Sequence, residues 1–165
     1  MKTKLFLASL IVFFGLFSAC KKKDLDVQNQ KVDDFISKVK TSSSFDNLGY
    51  ELPNFSDKDI GRLMTYIRDT TEVLVFPTNP ISSFYTSPKI LNECVMWTIE
   101  GIRLNKKYAS LQPLVRETSS PFNRLTKNQL IDLAAKYEQW YDEYKKNPTD
   151  EVRTRVILDS KYRWF

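Results

Sequence analysis

Apolar side chains crowd most densely between Ser87 and Leu104. There Ile90, Leu91, Cys94, Val95, Trp97, Ile99 and Ile102 leave only a narrow polar stripe of Lys89, Glu93, Glu100 and Arg103. A helix so nearly apolar all round is a buried one, touched on several sides. Ser87 suits an N-cap and Pro88 a first helical position, so the spacing predicts a central helix over 87–104.

Three further helices follow from the same period. Val32, Phe35, Ile36 and Val39 predict one over Val32 to Lys40. The next has a well-marked start: Ser56 caps it, Asp59 completes a capping box, and Phe55 and Ile60 occupy the two positions of a hydrophobic staple. Its apolar stripe is Ile60, Leu63, Met64 and Ile67. The last opens at Thr126 with Gln129 and the pair Leu125 and Leu130. It turns Leu130, Leu133, Ala134, Tyr137, Trp140, Tyr141 and Tyr144 inward and ends near Asn147-Pro148.

Between these, Tyr50 to Phe55 reads as a short connector around Pro53, and Thr78 to Tyr85 as a loop rich in turn residues. Val73 to Phe76 fits either a strand or a buried helical turn. Tyr108, Leu111, Leu114 and Val115 around Pro113 suit an irregular segment laid over the core, and the aromatic end from Tyr162 to Phe165 suits one tucked onto the body. The expected class is all-α, a four-helix single domain with minor strand segments, its paired helices packing like a short helical-repeat array.

The N-terminus is different in kind. Lys2 and Lys4 precede an apolar run from Leu5 to Leu16 that is short for a membrane span, which marks a targeting segment. Its end, Leu16-Phe17-Ser18-Ala19-Cys20, resembles the lipobox of bacterial lipoproteins. The resemblance implies a signal peptide over 1–19, Cys20 as the lipidated residue carrying acyl chains, palmitate among them, and a mature protein anchored without a spanning helix. Residues 20–30 then form the lipidated N-terminus and tether, and 31–165 the helical domain. Lys22, Lys23, Asp24 and Asp26 resemble in part the charged surface-export signal of Bacteroidota lipoproteins.

Charge follows the same division. Five of the 25 basic residues are Lys2, Lys4, Lys21, Lys22 and Lys23, so the remaining 20 balance the 20 acidic ones, all of which lie later. A nucleic-acid binder concentrates basic charge on its domain, and this domain does not. The three lysines after Cys20 serve either as a solvated spacer or as a contact to anionic head groups.

With no histidine in the chain, Ser-His and Cys-His nucleophilic pairs and imidazole metal sites are excluded. Cys94, on an apolar helix face, reads as a small buried hydrophobe. Glu93 and Glu100, seven residues apart on one stripe, are the one pair with a spacing suited to acid–base chemistry. Lys89 and Arg103 offer them helix-surface ion pairs as the plainer role. Four glycines leave little material for a phosphate-cradling loop, and no metal or cofactor motif is present. Trp97 and Trp140 are candidate ligand-binding rings together with Glu93 and Glu100, although helical spacing makes core packing the better reading of the aromatics.

In order along the chain, DIGRLMTYIRD, FPTNPISS, ECVMWTIEGIRL, a Trp/Tyr-rich helix and a terminal YRW resemble a family of small Bacteroidota lipoproteins of unknown function. The resemblance implies a cell-envelope address, the outer membrane, and a mostly helical domain. It carries no site residues. The expected function is a non-enzymatic, lipid-anchored envelope protein that binds another protein or supports an assembly. The alternative is a surface glycan- or small-ligand-binding lipoprotein, and an acid–base hydrolase built on Glu93 and Glu100 stands third.

Overall fold

The computed structural model describes residues 27–82, 88–120 and 123–165. The expected signal at 1–19, Cys20, the lysines 21–23 and the Ser87 cap lie outside them. About half of the described residues are helical. Helix α1 covers 27–41, α2 Phe45–Leu48, α3 Asp57–Met64, α4 Leu91–Arg103, α5 Lys127–Lys146 and α6 Asp150–Thr154. Strands β1 (Glu72–Val73) and β2 (Lys89–Ile90) pair antiparallel, as do β3 (Val115–Glu117) and β4 (Tyr162–Trp164).

Six helices among the described residues replace the four expected. The four longer ones stand where apolar periodicity placed them, whereas α2 and α6 are too short to display a 3.6-residue period. Helix α1 also takes in residues 27–30, which the sequence assigned to the tether. Of the stretch 73–76, read as strand or buried helical turn, Val73 alone is strand, in Glu72–Val73, and 74–76 are neither.

The central helix starts later than expected. Lys89 and Ile90 are extended because they pair with Val73 and Glu72. The first free amides of α4 are then satisfied from outside: Leu91 N–H donates to the Thr71 carbonyl at 2.9 Å and Asn92 N–H to that of Asp69 at 2.8 Å. The chain before the helix thus caps it, where a serine side chain was expected.

Every residue of α4 is buried. Helices α3 and α5 both pack on it, and α6 packs on α5. One hydrophobic core runs from Val32 in α1 through α3 and α4 to Leu158 near the C-terminus. The polar stripe of Lys89, Glu93, Glu100 and Arg103 is therefore no solvent face, since all four side chains are buried.

Both expected capping boxes form. Ser56 N–H donates to Asp59 Oδ2 at 2.7 Å, and Thr126 N–H to Gln129 Oε1 at 2.9 Å. Helix α4 ends in a Schellman turn: Lys106 N–H reaches the Gly101 carbonyl at 2.8 Å and Asn105 N–H that of Ile102 at 3.0 Å. Asn105 takes the left-handed position with φ 54°, which asparagine tolerates better than most residues. The last residues are tied down as the aromatic terminus suggested: Phe165 N–H donates to the Leu114 carbonyl and Gln112 N–H to that of Phe165.

Candidate functional site

The polar side chains of α4 are the first place to look for chemistry, since buried charges need partners. Glu100 has three donors on it. Arg103 Nε reaches Glu100 Oε2 at 2.7 Å and Nη2 reaches Oε1 at 2.6 Å, while the Tyr137 hydroxyl donates to Oε2 at 2.9 Å. Arg103 Nη1 then donates to the carbonyls of Arg153 and Arg155 at 2.9 and 2.8 Å, which close the C-terminal end of α6. Burial, reinforced by the adjacent Glu100 carboxylate, pushes the Tyr137 hydroxyl well above its usual range. This cluster fastens α4, α5 and α6 together, and both oxygens of Glu100 are engaged inside it.

Glu93 is held elsewhere. Its Oε1 accepts from Val115 N–H of β3 at 2.8 Å. Burial pushes its carboxyl up to about 7, and the Val115 amide and then the charges of Arg116, Arg124 and Lys89 resist that shift. One acid turns to β3 and the other to α5, so the pair expected from the spacing has two different sets of partners. The expected ion pair with Arg103 forms at Glu100, but inside the protein.

Trp97 and Trp140 are 0% and 2% exposed. Trp97 Nε1 donates to Ser110 Oγ at 2.7 Å, and its ring meets Phe76 edge-on. Trp140 Nε1 donates to the Val152 carbonyl at 2.9 Å, and its ring stacks on Tyr144. Both indoles are core packing whose polar edge is satisfied internally, which corrects the expectation of ring faces open to a ligand. Cys94 is fully buried, and burial pushes its thiol well above the usual range. Among the described residues no group of acidic or thiol side chains could hold a metal ion.

The surface offers a different candidate. A cavity of about 340 Å³ opens between the 52–57 connector, the Schellman turn of α4 and α6, walled by Leu52, Phe55, Asp57, Ile102, Lys106 and Arg153. Arg153 Nη2 fixes its floor by donating to Asp57 Oδ1 at 3.1 Å, the Ile102 carbonyl at 3.0 Å and Asn105 Oδ1 at 2.6 Å. A second cavity of about 440 Å³ lies against α1, walled by Val27, Lys31, Phe35, Leu48 and Glu51. Pro53 belongs to both cavities. A Lys107–Glu51 ion pair joins their walls. On the same connector Tyr50 is 69% exposed, its ring stacked on Phe45 at 5.3 Å.

Sequence reasoning passed over this region, reading Tyr50 to Phe55 as a plain connector. Nothing in its composition signals that α6, a hundred residues on, returns to face it. An aromatic residue, Tyr50, three positions before Pro53 was the one available cue.

Residues 26–165 match the family described as Domain of unknown function (DUF4943). No curated protein and no solved structure matches the chain.

Proposed function

The chain belongs to the DUF4943 family, and from that premise we propose that it is a non-enzymatic protein-interaction module, anchored to the cell envelope by lipid on Cys20. The observation that supports this reading is the pair of cavities meeting at Pro53, with Tyr50 exposed on the same stretch. Aromatic and arginine side chains beside concave apolar walls are the usual anchors of protein contacts. The carboxylates and indoles that suggested catalysis or ligand binding are engaged within the fold.

The lipobox-like end at Cys20 and the resemblance to small Bacteroidota lipoproteins support an outer-membrane address. No helix among the described residues is long and apolar enough to cross a membrane. Helix α3 on α4, and α4 on α5, supports reading the four longer helices as a short repeat-like stack. A glycan- or small-ligand-binding role draws support from the exposed Tyr50–Phe45 ring stack alone.

A photo-crosslinking residue at position 50, compared with one at exposed Val156, tests the interaction face in intact cells. Discrete envelope-protein adducts at position 50 and none at 156 are expected, and equal patterns at both sites would defeat the proposal. Metabolic labelling with an alkyne palmitate analogue tests the anchor: label is expected on the native chain and lost in Cys20→Ser.

A further inference from the structure

Three cations from three other segments bear on Glu93 at the start of α4: Val115, next to Arg116, holds its carboxylate, and Arg124, itself exposed, bonds Pro88 next to Lys89. Lys89 comes from β2, Glu93 from α4, Arg116 from β3 and Arg124 from the chain leading into α5. Lys89 is 1% and Arg116 8% exposed. Arg116, Arg124 and Lys89 all bear on the Glu93 carboxyl, and Arg124 weakens the basicity of both other cations.

The balance is positive, three cations to one carboxylate. That carboxylate already receives a hydrogen bond from Val115 N–H. Arg124 spends one nitrogen on the Pro88 carbonyl at 2.6 Å. Arg116 Nη1, by contrast, is buried with no hydrogen-bond partner. In the register of β3 and β4, Arg116 stands opposite another cation, Arg163. A buried guanidinium with an unused donor in a net-positive setting is costly unless an anion completes it. The planar fork of arginine matches a tetrahedral oxyanion or a carboxylate better than any other side chain does.

We propose that Arg116, with Arg124 and Lys89 supplying further positive charge, binds a small oxyanion of the sulfate or phosphate kind beside Glu93. The site is distinct from the connector cavities and does not depend on the interaction reading. Among the described residues Glu93 is the carboxylate whose charge bears on Lys89 and Arg116, while Glu117 shares a surface pocket with Arg124; the groups facing Glu93 are Lys89, Arg116, Arg124 and the neutral thiol of Cys94. When Glu93 is neutral the cluster holds its full positive charge. When it ionises it competes with the anion.

The test is titration calorimetry on the full chain purified with its anchor in detergent. The probe is sodium sulfate at constant ionic strength in chloride, because sulfate does not itself titrate near neutrality. Saturable binding is expected, weakening up to about tenfold between pH 6 and pH 8 as the competent, neutral-Glu93 fraction falls. Arg116→Gln is expected to lose binding by tenfold or more, and Arg116→Lys to lose less. Glu93→Gln keeps the acceptor for Val115 and is expected to bind sulfate equally at both pH values. That variant keeps the test decisive if Arg116→Gln fails to fold. Absence of saturable binding, binding unchanged in a folded Arg116→Gln, or an undiminished pH dependence in Glu93→Gln would each overturn the site.

Discussion

Arg103 grips Glu100 one helical turn away through two parallel hydrogen bonds of 2.6 and 2.7 Å, and neither side chain is more than a tenth exposed. On an open helix surface such a pair contributes only a few tenths of a kcal/mol. Inside the protein its removal is the costly event, because one charge is then left without its partner. Glu100→Ala would strand both the Arg103 guanidinium and the Tyr137 hydroxyl, with an expected loss of about 3–5 kcal/mol in urea unfolding. The double variant Glu100→Gln/Arg103→Met should be more stable than Glu100→Ala, since neither charge of the pair is left behind.

Glu93 gives stability a pH dependence of defined sign. Its folded carboxyl is held up to about 7, so the folded state binds the proton more tightly than the unfolded chain does. The resulting stabilisation is full below the ordinary carboxylate range and is lost as the pH rises to about 7. At 1.36 kcal/mol per pH unit this amounts to about 3 kcal/mol. Asp33 and Asp69, held below their usual range by Arg62 and by Lys40 with Thr71, act in the opposite sense in more acid solution. Guanidinium unfolding of wild type and Glu93→Gln at pH 5 and pH 8 isolates the effect: the wild type should lose stability between them and the variant should not.

Gly101 sits where the chain after α4 folds back against the helix. A Cβ there would lie 2.9 Å from the Lys106 carbonyl oxygen and 3.3 Å from the Ala109 nitrogen, both backbone atoms that cannot swing aside. Gly101→Ala should therefore open the Schellman turn and cost about 1–3 kcal/mol, despite alanine's better helix propensity. Gly61→Ala meets only the Tyr141 hydroxyl end, a flexible group, and should cost less in the same unfolding assay.

Burial of Trp97, Trp140 and Cys94 makes two solution observables definite. Tryptophan emission should be blue-shifted, and acrylamide should quench chiefly the half-buried Trp164, so Trp164→Phe should remove most of the quenchable fraction. In a Cys20→Ser background Cys94 should resist Ellman's reagent in buffer and react fully in guanidinium. Reaction of the folded protein would mean that α4 opens far more readily than its packing implies.

Local signals carried the four longer helices and the starts of α3 and α5. Thr126 with Gln129, and Ser56 with Asp59, are short-range pairs that form much the same contacts in any fold, so they were legible. The start of α4 was not, because Thr71 and Asp69, some twenty residues earlier, cap it through main-chain groups that no side-chain pattern records. The same holds for β3 and β4, joined across nearly fifty residues of chain. Lys89, Glu93, Glu100 and Arg103 looked like a solvent stripe because periodicity reports polarity and cannot tell water from a buried partner. The connector cavities depend on where α6 lands, and that is a property of the whole packing.

Those four buried charges also bear on how such a chain would reach its place. They interrupt the most apolar stretch after the N-terminal segment. A chain exported as proposed presents that stretch unfolded to the membrane insertion machinery, before any internal partner exists. Glu93 and Glu100 fall inside that stretch and Lys89 and Arg103 close its two ends, and charges within a nascent helix disfavour leaving it in the bilayer. In a chain so exported, the ionic groups that later lock α4 into the core would first favour its passage through the translocation channel.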